Sequence, residues 1–508
     1  MTRATGAVAG AASGSDFLQL NVGDAPAGGL ADWLSQQLRL AIADGRLPLG
    51  SRLPPSRVLA TELQVSRGVV TEAYRCLTED GHVAGRGRGG TVVVAMPVTA
   101  EPAPTGRPPA AAGRDAPAGG RGSAADRVFR DEPDTQVFAT LRSVPAQVDL
   151  TPGVPDLAAF PRAAWLRAER AVLGELSASA LGYGDERGAP GLRQAVASWL
   201  ARTRGIRAHP DEVLIVAGVS QSLALLARVL QADGIAEVAV EEPGSLGARQ
   251  QLAAWGVRTP PVRLDEEGVR VDELRASGAR AVLLTPAHAF PSGVVLGGER
   301  RRELMDWACQ PGPGGLVIED DYDAEHRYDR PPVPALRSMM PERVCYAGSV
   351  SKLLAPALRV GWLLAPPRYR EELAAAKRVS DHGTAVLPQL VVARLMESGT
   401  LERQLRMLRR RHRRRRDAMI EAIAAHLPDA RVHGAAAGLH LMITFDGTAL
   451  DDTALAAAAL ARGVKAQPLS WHTQRPGPPG LVLGYAATTP TAIREAVATL
   501  AEVRHDVV

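Results

Sequence analysis

The sequence predicts a multidomain chain in which a small helical module with a short hairpin is joined by a linker to a large α/β domain with a largely parallel sheet. Three observations carry that reading. Residues 29–95 place apolar side chains at helical spacing between capping residues and end in an alternating run. Over residues 96–131 the composition collapses to Pro, Ala, Gly and Arg, which cannot bury enough apolar surface to offset its ordering entropy and so reads as a linker. Over residues 132–505 short apolar runs alternate with helical patterns, VLIVAG then VSQSLALLARVL, VAVEEP, AVLLTPAH, LVIEDDYD and VCYAGS, the pattern of a sheet covered by helices.

Bulk properties narrow the class. The 508 residues are 46% apolar and 22% charged, as in an ordinary globular protein of several domains. Cys76, Cys309 and Cys345 stand far apart, which argues against a disulfide framework or a cysteine metal cluster and for reduced thiols; no metal site is expected. The first residues, MTRATGAVAGAASGSD, lack the apolar core of a secretion signal, residues 1–28 read as a mobile terminus, and no run of about 18 apolar residues occurs. The expectation is a cytoplasmic protein with no membrane partner. A net charge of +4 permits nucleic-acid contact without demanding it.

In the first block Leu34, Leu38, Ala41 and Ile42 share one helix face, and Asp44-Gly45 breaks the pattern. Ser56 is placed to cap a second helix, Gln64-Val65 to turn, and Ser66 to cap a third. Two short helices joined by a tight turn form a helix-turn-helix, whose second helix presents its N-terminal residues, here Arg67, Gly68 and Thr71, to base edges. GHVAGRGRGGTVVV then alternates like a hairpin wing with Arg86 and Arg88 at its tip. By pattern alone this module fits protein docking as well as DNA reading. The stretch LPPSRVLATELQVSRGVVTEAYRCLTEDGHVAGRGRGGTVV resembles the winged helix-turn-helix of the GntR family. The resemblance implies Arg57 and Arg67 as DNA contacts, with Arg52, Thr71, Arg86 and Arg88 as further ones, and a double-stranded operator as partner.

The second block turns on a lysine. Arginine fills nearly every basic position, and Lys352, Lys377 and Lys465 are the lysines of the chain. Lysine can do what arginine cannot, losing a proton and attacking a carbonyl to form a Schiff base. Lys352 follows the run CYAG amid Ser349 and Ser351, with Arg359 seven residues on. Ala217-Gly218-Val219-Ser220-Gln221 joins a strand to a helix, whose opening amides make an anion site. LVIEDDYD ends in carboxylates that can hold a pyridine nitrogen protonated. A lysine, an anion cradle and a carboxylate are what a phosphorylated pyridine aldehyde requires, although each alone is common as a loop, a helix cap or an acidic surface.

YGDERGAPGLRQAVASWLARTRGI, AGVSQSLALLARVL, VEEPG, TPAHAFPSGVVL, IEDDYDAEHRY, GSVSKLLAPALRVGW and GLHLMI together resemble the aminotransferase fold of pyridoxal-phosphate enzymes, fold type I. The two-block order resembles the MocR subfamily of GntR regulators. That resemblance implies pyridoxal 5'-phosphate as cofactor, Lys352 as its Schiff-base lysine, Asp320 on the pyridine nitrogen and Tyr322 near the phenolic oxygen. It also implies Ser220, Gln221, Ser349 and Arg359 around the phosphate, and His288 and Pro291 on a loop lining the pocket. Tyr183 is implied to reach the phosphate of a partner subunit, in a head-to-tail or domain-swapped homodimer.

The chain departs from the pattern where a substrate would be held. Ser245 stands where an aromatic ring usually stacks on the cofactor, Gly247 where some relatives carry an arginine, with Arg249 nearby, and Ala289 where a glutamine is usual. Val482 falls where fold-type I aminotransferases hold the substrate carboxylate with arginine, and a valine cannot replace a bidentate ion pair. The expectation is a DNA-binding regulator that senses the cofactor or a small amine effector, with residual transaminase activity open. The alternatives are a working aminotransferase carrying a DNA-binding domain, or a vestigial pocket. The arginine run LERQLRMLRRRHRRRRD is expected to be a solvated helix face with intersubunit salt bridges, seated on Leu401, Leu405 and Leu408.

Overall fold

The computed structural model describes residues 20, 22–26, 29–43, 46–85, 90–94, 128–129, 132–310, 314–328, 334–446 and 450–507. It divides into two compact units, Met1–Ala118 and Gly119–Val508.

The first unit holds α1 (Leu30–Ala43), α2 (Ser56–Glu62) and α3 (Arg67–Glu79), then the antiparallel pair β1 (Val83–Gly85) and β2 (Thr91–Val93). Leu34, Leu38, Ala41 and Ile42 pack with Val70, Ala73 and Leu77 in one core, each fully buried leucine contributing about 1.5–3 kcal/mol relative to exposure. Ser66 caps α3 as expected, its hydroxyl oxygen accepting from the Val69 amide at 3.4 Å. Ser56 does not cap α2. It is the first helical residue, and the cap position falls to Pro55, which makes no side-chain capping bond. Pro55, held extended at φ −55° and ψ 138°, takes the cap position itself, so the helix starts one residue earlier than a serine cap requires. Gln64 takes the turn at φ 50°. Asp44-Gly45 and the wing-tip Arg86 and Arg88 lie outside the described residues.

The strands of the second unit are β3 (Val148–Asp149), β4 (Val213–Val216), β5 (Ala239–Glu242), β6 (Pro261–Asp265), β7 (Gly268–Val269), β8 (Ala281–Leu284), β9 (Leu316–Asp321), β10 (Val344–Ser349), β11 (Gly361–Leu364), β12 (Ala430–His433), β13 (His440–Phe445), β14 (Val464–Lys465), β15 (Gln467–Pro468) and β16 (Gly480–Gly484). The large sheet is ordered β4-β11-β10-β9-β8-β5-β6-β7. Its centre, from β10 through β9, β8 and β5 to β6, is parallel, and its edges are antiparallel. In such a sheet the loops beyond the carboxyl ends of parallel strands form the binding crevice; here those ends are Glu242, Leu284, Asp321 and Ser349. A smaller sheet, β12-β13-β16-β15, and the pair β3/β14 complete the unit.

Two features differ from the sequence reading. Val128 and Phe129, inside the stretch whose composition reads as linker, are buried in the second unit's core, with Phe129 stacked on Trp471 at 5.2 Å. In the helix Thr400–His426, Leu401, Leu405 and Leu408 are buried as expected. The arginines, however, divide. Arg403, Arg406, Arg410 and Arg413 are exposed, whereas Arg411 and Arg415 are buried against Asp156 at 3.1 and 2.8 Å, and Arg416 lies 4.9 Å from the ring centre of Tyr328. The ion pairs of the buried face are thus made within the chain. Among the described residues no helix is long and apolar enough to cross a membrane.

Candidate functional site

In the second unit the elements expected to hold a cofactor converge on the strand ends. Lys352 lies just past β10, and its Nζ donates to the carbonyl of Gly153. Gly153 has φ +81°, and a Cβ there would stand 3.2 Å from that Nζ, so a side chain would crowd the amine. Burial holds the Lys352 pKa below its usual value, with the carboxylates of Asp320 and Asp323 opposing. A lowered pKa keeps more of the amine in its nucleophilic form.

Asp320 and Asp321 alternate across β9 and face opposite sides of the sheet. Asp321 is committed to the core, where its Oδ2 accepts from Arg204 Nε at 2.5 Å and from the Tyr346 hydroxyl. Asp320 faces Lys352's side. Its Oδ1 is shielded from solvent and has no hydrogen-bond partner, and burial, with Asp321 and Asp323, pushes its pKa up to about 7. A buried carboxyl oxygen without a donor is costly, and a protonated ring nitrogen is a donor that would answer it.

The anion end is also built. Val216 and Gly361 are partners across β4 and β11, and Ser349 and Gly361 are partners across β10 and β11, which brings three chain segments together. A Cβ on Gly218 (φ +103°) would lie 3.4 Å from both terminal nitrogens of Arg359, so glycine keeps the turn open before that guanidinium. Gly218 is the N-cap of the helix Val219–Ala232, whose first amides point out of the helix without intrahelical acceptors. Ser349 Oγ accepts from the Ser351 amide at 3.3 Å and keeps its own proton to donate. Ser220 is exposed at the helix start.

Gln221 departs from its expected role. Its Oε1 accepts from the Ala217 amide at 2.8 Å, and its Nε2 donates to Asp381 at 2.8 Å. Asp381 in turn holds the buried Lys377 at 2.7 Å. The side chain is therefore a brace beneath the turn, with one Nε2 proton not engaged by these two bonds. Tyr183 is 100% exposed and touches none of these residues.

Tyr322 sits beside a pair that residue spacing does not reveal: its hydroxyl is 3.1 Å from His288 Nδ1, which is 2.9 Å from Asp323 Oδ2. Nearby, Phe290 packs against His440 at 4.9 Å and His472 at 5.0 Å. The donor atoms of His288, Asp323 and His440 all lie within 4.8 Å of one another, close enough for a cation, and hydrogen bonding to Tyr322 and Asp323 already employs His288 Nδ1. The outer wall is apolar: Val482 is buried with Met442 and Leu469, and Phe290 packs on them. Ser245 Oγ accepts from the Ala248 amide at 3.2 Å and so caps its own helix, while Arg249 donates to the Trp471 carbonyl at 2.7 Å.

On α3 of the first unit, Arg67 and Thr71 are exposed on the N-terminal turns, and Arg52 and Arg57 are exposed before and within α2. Arg75 and Arg39 are tied up in ion pairs with Glu72 and Asp80, whereas Arg57 and Arg67 make no such pair among the described residues. The Thr71 hydroxyl donates back to the Arg67 carbonyl at 2.9 Å, which leaves its lone pairs to meet a partner.

A winged helix-turn-helix ahead of a fold-type I aminotransferase domain defines a class of fused regulators. The bacterial regulatory proteins of the gntR family match residues 30–93, and aminotransferase class I and II matches residues 145–500. The probable rhizopine catabolism regulatory protein MocR of Rhizobium meliloti is 30% identical, covering 92% of both chains. The HTH-type pyridoxine biosynthesis transcriptional regulator PdxR of Corynebacterium glutamicum is 30% identical, covering 92% of this chain and 94% of its own. Among solved structures, the α-aminoadipate aminotransferase LysN of Thermus thermophilus, complexed with N-(5'-phosphopyridoxyl)-L-leucine, is 28% identical with a TM-score of 0.66, covering 76% of this chain and 97% of its own. The chain belongs to the MocR subfamily of GntR-type regulators, and is an HTH-type transcription regulator with an aminotransferase-like domain.

Proposed function

We propose that this regulator binds pyridoxal 5'-phosphate through Lys352 and uses the loaded site to report the cofactor, or a small amine that condenses with it, to a DNA operator. One observation carries the reading: a desolvated lysine, a buried carboxyl oxygen without a donor on Asp320, and the Gly218–Arg359 cradle open on one crevice. The cofactor supplies an aldehyde that condenses with amines, and a ring that bears a phosphate and a protonatable nitrogen. Lys352 offers the amine, Asp320 holds the ring nitrogen's proton, Tyr322 faces the phenolic oxygen, and Arg359, Ser349 and the amides of Val219 and Ser220 receive the phosphate.

The outer wall favours sensing over turnover. Val482 among Met442, Leu469 and Phe290 gives a substrate carboxylate no cation, and poor orientation can forfeit several kcal/mol of barrier reduction. The DNA-binding unit spans residues 29–95, a linker begins at 96, and the effector domain, which takes in Val128 and Phe129, runs to 505, in a cytoplasmic protein. A head-to-tail homodimer is supported by the exposure of Leu157, Leu166, Leu173 and Leu181 in the segment leading to the fully exposed Tyr183, apolar side chains that a second copy could cover. A ligand shifts the DNA-bound state only by its differential affinity for the two arrangements.

The test is recovery of genomic DNA fragments by the purified chain with and without pyridoxal 5'-phosphate and candidate amines. Wild type should change which fragments it retains when the cofactor is added, and Lys352→Ala should keep DNA binding but lose that response. A response that persists without the lysine sinks the reading. A working aminotransferase is the second reading, favoured by the likeness to LysN; multiple-turnover amino transfer unaffected by removal of residues 1–95 would establish it.

A further inference from the structure

Tyr322 has a neighbour pair that cofactor anchoring does not use. His288 Nδ1 stands 3.1 Å from the Tyr322 hydroxyl and 2.9 Å from Asp323 Oδ2. His288 and Asp323 are each 1% exposed. The ring is packed close against two glycines: a Cβ at Gly438 would collide with its Cε1 edge and a Cβ at Gly293 would lie 2.9 Å from Nε2. His288 Nε2 is shielded and has no hydrogen-bond partner.

These contacts fix the tautomer. A proton on Nε2 would be buried without an acceptor and would turn a bare Nδ1 lone pair toward a carboxylate; a proton on Nδ1 satisfies Asp323 and reaches Tyr322. The Tyr322 oxygen then lies next to a donor, and its own proton is free to be given away. In the structure that proton is directed to the His288 carbonyl at 3.1 Å, and rotation about the C–O bond can redirect it. The groups facing this pair are Asp320 and Asp323 from the end of β9, Glu241 from β5, and His440 from β13. Burial and His288 push the His440 pKa down to about 3, so it stays neutral and does not compete for Asp323 as a cation.

We propose that His288, held in its Nδ1-protonated form by Asp323, is a positioning residue that makes Tyr322 a hydrogen-bond donor to the phenolic oxygen of the pyridoxal ring. The inference rests on the pyridoxal reading for its consequence, and on the cofactor-free chain for its geometry. A hydrogen bond donated to that oxygen stabilises its negative charge, so the pair lowers the pH at which the bound cofactor gives up the proton it shares with that oxygen.

Two measurements on the full chain test it. Without cofactor, proton NMR should show a far-downfield imidazole N–H that vanishes in both Asp323→Asn and His288→Leu; its absence from the folded wild type overturns the pair. With cofactor, the pH midpoint of the visible absorbance should rise by about one unit in His288→Leu and in Asp323→Asn. His288→Asn, whose amide nitrogen takes the place of Nδ1, should stay near wild type. Unchanged midpoints in the first two variants overturn the proposal. A wild type that never gains visible absorbance fails the pyridoxal reading instead, and the NMR signal then decides the pair by itself.

Discussion

The inner end of the crevice and its outer wall meet at Phe290, whose ring lies 6.2 Å from that of Tyr322, but are built from opposite materials. At the inner end polar groups are buried and kept available: Lys352 against Gly153, Asp320 with a bare oxygen, and Arg359 facing an open glycine turn. At the outer wall the polar groups have been removed or turned inward: Val482 lies in an apolar cluster, Ser245 caps its own helix, and Arg249 holds a backbone carbonyl. Buried, unanswered polarity costs stability and persists where a ligand repays it. The contrast teaches that anchoring and substrate capture are separable, and the proposed sensor needs only the first.

The sharpest way to break that contrast is at the anchor. Lys352→Ala should abolish the cofactor's visible absorbance and its retention through gel filtration; a band that survives would move the anchor elsewhere. Next in size is the other unit. Arg67→Ala should weaken operator binding by about 1–3 kcal/mol, roughly five- to 150-fold in electrophoretic shifts, while leaving the absorbance untouched. Unchanged affinity would remove Arg67 from the reading surface. Arg359→Ala should cost about 1.5–3 kcal/mol in affinity for pyridoxal 5'-phosphate and little for pyridoxal, by fluorescence titration. Equal losses for both ligands would mean that the arginine does not see the phosphate.

What the sequence made legible follows from how far apart the cooperating residues lie. The faces of α1 and α3, the Ser66 cap and the six strand-and-helix runs are local patterns of period 3.6 or short apolar blocks, readable within a window. Lys352 and Arg359 are seven residues apart, so they could be read together as candidates for one site. Gln221's bond to Asp381 was not legible, because Asp381 is 160 residues away. The His288–Asp323 pair spans 35 residues across two strand-end loops, and the only local hint was a histidine beside a proline turn. Arg411 and Arg415 looked like surface charge because Asp156, which buries them, belongs to a segment some 250 residues earlier. The resemblance alone picked Asp320 over Asp321; the sheet supplies the physical reason, since alternation puts one on each face and the structure shows that Asp321's face holds Arg204.

The smallest expected effect is the dependence of stability on pH, and it tests whether the inner end is strained without its ligand. Burial raises Asp320, Glu241, Glu319 and Glu325 to about 7. A carboxyl whose folded pKa exceeds its unfolded value near 4 binds more protons folded than unfolded, so stability falls as pH rises through that window. Buried histidines act in the opposite sense. His326 is lowered to about 4, His440 and His472 to about 3, and His412 well below its usual value; each binds fewer protons folded than unfolded, so stability falls as pH drops below about 6.5. Between about pH 4 and 6.5 the two sets oppose each other. As pH rises above about 6.5 the unfolded histidines lose their charge and the carboxyls dominate, opposed by the lowered Lys352 amine, so the cofactor-free chain should lose a few degrees of Tm from pH 6.5 to 8 in thermal unfolding. Asp320→Asn should flatten part of that decline, and so should bound cofactor, because a protonated ring nitrogen gives the Asp320 carboxylate a partner. If cofactor stabilises the chain without changing this slope, the ring nitrogen does not meet Asp320, and the bare oxygen at the end of β9 has some other partner.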